Sequence, residues 1–132
     1  MKEVSIIGMT LIKISTIYFV MGILLGYYMS IVHDYALTPV HVHINLLGWT
    51  ALTLAGILYH LFPQLAASKL GKIHFWLHNI GLPLMMAGLF LMITLQLESL
   101  TPVIAGGATL TTAGILFFAL NVWVHLKEEE AA

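Results

Sequence analysis

Four apolar stretches, each longer than the roughly 20 residues needed to cross the hydrocarbon of a bilayer, take up nearly all of this 132-residue chain. Such segments must satisfy their own backbone hydrogen bonds inside the lipid, which confines the fold to a bundle of membrane-spanning helices. Composition agrees: 60% of residues are hydrophobic and 8% are charged. The mean hydropathy of +0.97 lies far outside the range of soluble domains. The sequence therefore predicts an all-α integral membrane protein, a single membrane domain over residues 1–132 with no linker, second domain or internal repeat.

Punctuation along the chain predicts helices at about 5–32, 39–62, 73–97 and 102–126. In the first, the early part lies at the interface with Lys13 snorkelling outward, residues 18–32 cross, and Tyr27 and Tyr28 anchor the far side. Thr38 as N-cap and Pro39 at the first helical position open the second helix, which stops before Pro63. Ser99, Thr101 and Pro102 open the fourth, and Lys127 with Glu128, Glu129 and Glu130 ends it. The N-terminal apolar run carries no small-residue cleavage site and reads as retained helix.

Lys2, Lys13, Lys69, Lys72 and Lys127 all fall at one end of the bundle, whereas Asp34 and Glu98 mark the other. The positive-inside rule then places both termini in the cytoplasm, with the protein in a prokaryotic inner membrane. The chain has no cysteine, which removes disulfides, iron–sulfur clusters and thiolate or covalently attached hemes. Any iron or copper would depend mainly on histidine. A net charge of -1 offers no basic field for nucleic acid.

Seven histidines fall into two groups: His33, His41 and His43 toward the outer face, and His60, His74, His78 and His125 toward the inner face. His43 and His60 lie roughly 25 Å apart along one helix, too far to share an ion. In TPVHVHINLLGW, residues 38–49, the rings of His41 and His43 face nearly opposite ways, so one helix can serve two neighbouring heme or metal pockets; interfacial residues wetted by headgroups are the competing reading of this pair. Asn45 and Gly48 follow His41 at i+4 and i+7 and add a hydrogen-bonding group and a place where a flat macrocycle could approach. Close helix packing, continued by Gly56, is the competing reading of Gly48. His74 and His78 share a helix face and with His60 form a candidate second metal site. Interfacial or carbonyl-bonded roles compete there, and His125 reads as a solvated helix end. The methionines, including Met85 and Met86, fill packing gaps.

The segments HVHINLLGWTALTLAGILYHLFP and KIHFWLHNIGLPL resemble consecutive helices of the catalytic subunit of heme-copper oxidases, most closely the C-type branch. By that resemblance His41 matches the high-spin and His43 the low-spin heme ligand. Gly48, Trp49, Tyr59 and Pro63 fall in register with the same pattern, and His74, Phe75, Trp76 and Gly81 with the start of the next helix. For the first and fourth helices the likeness is generic. The family holds its catalytic copper through histidines on other helices, including an adjacent pair, and no two histidines are adjacent here. A complete oxygen reductase is therefore not expected.

The resemblance implies a chain equivalent to one four-helix arc, one third of the full subunit, and hence favours a homotrimeric ring in which His41 of one copy and His43 of another converge; a dimer or a monomeric bundle with an internal heme is the alternative assembly. It implies heme b as cofactor and a role in electron transfer or in sensing or handling oxygen or nitric oxide, with a quinone or redox partner. The alternative is a structural or assembly module without heme, or a histidine-based copper or zinc binder.

Overall fold

The computed structural model describes residues 5–128. Helix α1 spans Ile6–Val32. The second membrane segment comprises α2 (Thr38–His43), a π-helical turn (Ile44–Thr50) and α3 (Ala51–Leu61). A short α4 (Pro63–Ala67) leads to α5 (Lys69–Leu95), and a 3-10 turn (Glu98–Leu100) leads to α6 (Thr101–His125). Four of these segments are long and apolar enough to cross a membrane, and no strand occurs among the described residues. The all-α, four-helix reading is borne out. Lys2, Glu129 and Glu130, which entered the charge and boundary readings, lie outside the described residues.

Local chemistry sets the boundaries. Ser5 caps α1 by accepting from the Gly8 amide at 3.1 Å, and the helix ends where His33 turns left-handed at φ 54°. Asp34 closes the following turn by accepting from the Ala36 amide at 3.0 Å. The second segment begins one residue earlier than expected: Leu37 occupies the cap position and Thr38 is already helical, its hydroxyl donating back to the Tyr35 carbonyl at 2.7 Å. Phe62 breaks the helix ahead of Pro63, which cannot continue it but fits the first position of α4. Helix α5 starts at Lys69, four residues before the expected 73, because Ser68 caps it through the Gly71 amide at 2.9 Å. Lys69 and Lys72 therefore ride on its first turn.

The chain folds as two helical hairpins. In the first, α1 packs along α2, the π-turn and α3. Gly8, Ser15 and Gly22 repeat every seven residues on the buried face of α1. Each lets a neighbour approach closely: a Cβ on Gly8 would lie 2.8 Å from the Gly56 carbonyl oxygen, and Gly22 lies under the Asn45 amide. The Ser15 hydroxyl accepts from Thr53 at 2.8 Å. In the second hairpin, a Cβ on Gly107 would meet the Met85 amide at 2.5 Å, and one on Gly81 would meet the Thr111 amide at 2.6 Å. In lipid the hydrophobic effect does not drive helices together. Close backbone approach and interhelical hydrogen bonds take its place. Met85 and Met86 are buried packing residues, as their sequence context suggested.

Asn121, fully buried on α6, ties the second hairpin to α4. Its Nδ2 donates to the Leu65 carbonyl at 2.9 Å, and its Oδ1 accepts from Ser68 at 2.7 Å and from His125 Nδ1 at 2.8 Å. His125 is thus half-buried and bonded, where the sequence reading had a solvated helix end.

Candidate functional site

The second membrane segment carries His41 and His43 at its start, on the first turns after Pro39. The two rings diverge, as the spacing predicted. His41 packs against α1, its Cε1 over Gly26, and its Nδ1 lies 2.9 Å from the Gly22 carbonyl oxygen. The Nδ1 of His43 lies 2.6 Å from the carbonyl oxygen of Pro39, one turn back. A carbonyl only accepts, so in both rings Nδ1 carries the proton and donates it. The Nε2 of each ring then presents a lone pair, and neither Nε2 has a hydrogen-bond partner among the described residues. This is the arrangement of a metal-ligating imidazole, in which a hydrogen bond from one ring nitrogen orients the other for coordination.

Asn45 supports the turn. Its Nδ2 donates to the His41 carbonyl at 2.8 Å while its amide rests on Gly22. A longer approach of 3.3 Å from Nδ2 to His41 Nδ1 is the weaker contact, since Nδ1 has its proton directed at Gly22. At Gly48 the structure departs from the macrocycle reading. The Tyr18 ring fills the space that a Cβ there would take, and Gly56 meets Ile12 and the Gly8 backbone. Within one chain Gly48 and Gly56 serve helix packing. Trp49, next to it, stacks on Phe19 with ring centroids 4.3 Å apart.

Between α1 and α5 lies an apolar cleft of about 880 Å³. Val40 and Ile44, which bracket the histidine turn in sequence, line it together with Tyr18, Leu25, Pro83 and Phe90. Its size is that of a ligand pocket, about 300–1,000 Å³.

The other histidines are wired in the opposite sense. His78 and Leu47 each lie nine residues into their helices, roughly 14 Å deep. There His78 Nε2 donates to the Leu47 carbonyl at 2.9 Å. With Nε2 protonated, His78 Nδ1 accepts from His74 Nε2 at 3.2 Å. His74 Nδ1 in turn accepts the Tyr59 hydroxyl proton at 2.8 Å. Tyr59, His74 and His78 are all essentially inaccessible, and Phe118 packs on the first two. Every ring nitrogen of this pair is used.

The i, i+4 spacing of His74 and His78 was read correctly as bringing them together. The triad with His60 does not form: His60 follows Tyr59 round the helix by about 100° and its side chain is exposed. Among the described residues no three of His, Cys, Asp and Glu are grouped to hold a metal ion. Tyr59 as the third member was missed, although its position one residue before His60 puts it on the face turned toward α5. His33 is exposed at the end of α1.

Comparison with known proteins gives one local similarity. The chain is 41% identical over 56 residues to the Cbb3-type cytochrome c oxidase subunit CcoN1 of Stutzerimonas stutzeri, covering 38% of this chain. The match spans only 12% of that relative's length. No family model matches the chain, and no solved structure matches it. The chain, built as four membrane helices, is thus similar over this local segment to part of a Cbb3-type cytochrome c oxidase subunit.

Proposed function

We propose that this protein binds b-type heme through Nε2 of His41 and Nε2 of His43 and serves in electron transfer. The observation that carries the reading is the anchoring of both Nδ1 atoms to main-chain carbonyls, which leaves both Nε2 atoms free for iron. The local similarity to an oxidase subunit supports it. Heme would supply the redox centre; the chain orients the imidazoles through the Gly22 and Pro39 carbonyls.

Because the two rings diverge, one helix serves two irons. A closed ring of three copies, each one arc of the larger subunit, brings His41 of one copy and His43 of the next to the same heme. Held by both histidines, the iron would have no position left for a gas, which favours electron transfer; a site with one histidine would leave room for oxygen or nitric oxide. Lysine at the terminal ends favours both termini in the cytoplasm of a prokaryotic cell.

The test is protein expressed with heme supplied, purified in mild detergent, and examined by absorption spectroscopy and native mass. A Soret band with a trimer mass is the expected result, and loss of the band in both His41→Ala and His43→Ala assigns the ligands. A folded protein without a Soret band that carries copper or zinc instead, or no metal, overturns the heme reading in favour of a metal-binding or assembly module.

A further inference from the structure

The π-turn between the histidine pair and the rest of its helix has an identifiable cause. The Ala51 amide donates to the Leu46 carbonyl, five residues back, where α-helical register would send it to Leu47. The Leu47 carbonyl is thereby deprived of its regular donor. His78 Nε2, arriving from the other hairpin, takes the place of that donor at 2.9 Å. A carbonyl without a partner in the bilayer core is costly, so the turn and the histidine bond sustain one another. The bond is held from behind by a chain of single polarity, Tyr59 to His74 to His78, in which each ring has one proton and one acceptor.

The turn sets where the histidines stand. An α-helix advances about 100° and 1.5 Å per residue, and a π-turn absorbs one residue more. Closing it to α geometry would rotate Thr38–His43 by about that amount against Ala51–Leu61. His41 Nδ1 would leave the Gly22 carbonyl, and the Asn45 amide would leave its seat on Gly22. We infer that His78 is a positioning residue: its hydrogen bond to the Leu47 carbonyl locks the register of the turn that presents His41 and His43. This rests on the proposed heme reading only for its functional consequence, since the lock itself belongs to the chain without cofactor.

The chain has no cysteine, so paired spin labels can be placed without background. Val42 on α2 and Leu116 on α6 are exposed positions. With Val42→Cys and Leu116→Cys labelled in heme-free full-length protein, His78→Leu is expected to shift the pulsed-EPR distance by several ångström. His78→Gln is expected to keep it, because its amide can donate to Leu47 and accept from His74. An unchanged distance in folded His78→Leu overturns the inference. In the unmodified chain, NMR of protein labelled with 13C-leucine, 15N-glycine, 15N-alanine and 15N-histidine reads the same bond through the Leu47–Gly48 pair. A correlation from the Leu47 carbonyl to His78 Nε2–H is expected, and one to the Ala51 amide instead overturns the inference. This second measurement holds even where His78→Leu does not fold. With heme added, His78→Leu should bind about 10–100-fold more weakly, the usual scale for groups that orient a ligand. If the distance shifts but the unmodified chain never binds heme, the proposed function fails and the lock stands. If heme binds and the distance does not move, the lock fails and the function stands.

Discussion

Two histidine pairs sit on neighbouring helices of this bundle, and they differ in which nitrogen holds the proton. His41 and His43 donate from Nδ1 to carbonyls of Gly22 and Pro39 and leave Nε2 open. His74 and His78 donate from Nε2, accept at Nδ1, and leave nothing open. The same side chain in the same bilayer therefore keeps a nitrogen without a partner in one place and is consumed as a structural link in the other. What decides the difference is the first hydrogen bond each ring makes. A polar group buried in lipid earns a functional reading only after its partners have been counted.

The largest effect that would separate the pairs is on cofactor affinity. Removing either ring of the first pair, in His41→Ala or His43→Ala, should weaken heme binding beyond the ~10–100-fold that orienting groups carry, measured by heme titration. His74→Gln, which can accept from Tyr59 and donate to His78, should leave binding near that of the unmodified chain. Equal losses would erase the distinction.

Next in size is Gly48→Ala, where the added methyl meets the Tyr18 ring. Overpacking of this kind costs about 1–3 kcal/mol, to be read from reversible unfolding in mixed micelles. Tyr18→Leu in the same chain should recover part of it. A stability left intact with heme binding lost would return Gly48 to the cofactor site.

Tyr59→Phe is smaller still. It removes the donor to His74 Nδ1 and leaves that nitrogen buried without a partner, at a cost of about 1 kcal/mol by the same unfolding measurement. Smallest is Trp123→Ala: the side chain is 86% exposed, so the stability of the single chain should not change measurably. A drop in native mass with that variant would place Trp123 between copies.

The four spans were legible because apolar length alone sets them, and the stop at Pro63 because proline cannot continue a helix. The start of α5 was not: Lys69 and Lys72 look like loop residues, and only the Ser68 cap shows that the helix has begun. The small residues at Gly8, Ser15 and Gly22 were visible as a seven-residue repeat, a seam that closer attention to spacing would have found. Asn121 was a single amide in an apolar run, and its buried role could have been suspected from that isolation. The π-turn lay beyond sequence reading, since no pattern in INLLGWT marks it and its partner, His78, comes from another helix. For the same reason the meeting of His74 and His78 could be foreseen, but not that Tyr59 rather than His60 would join them. The division of histidines into two separate faces also needs amending, because His78 reaches the segment that follows His43.

The most direct measurement is the 15N spectrum of histidine-labelled protein in lipid, before and after heme is added, with signals assigned by single substitutions. Before heme, His41 and His43 should show protonated Nδ1 and unprotonated Nε2, and His74 and His78 the reverse. After heme, the Nε2 signals of His41 and His43 should move or broaden beyond detection while those of His74 and His78 stay in place. Protonated Nε2 on His41 and His43, or heme acting on the second pair instead, would contradict the assignment of the first pair as ligands.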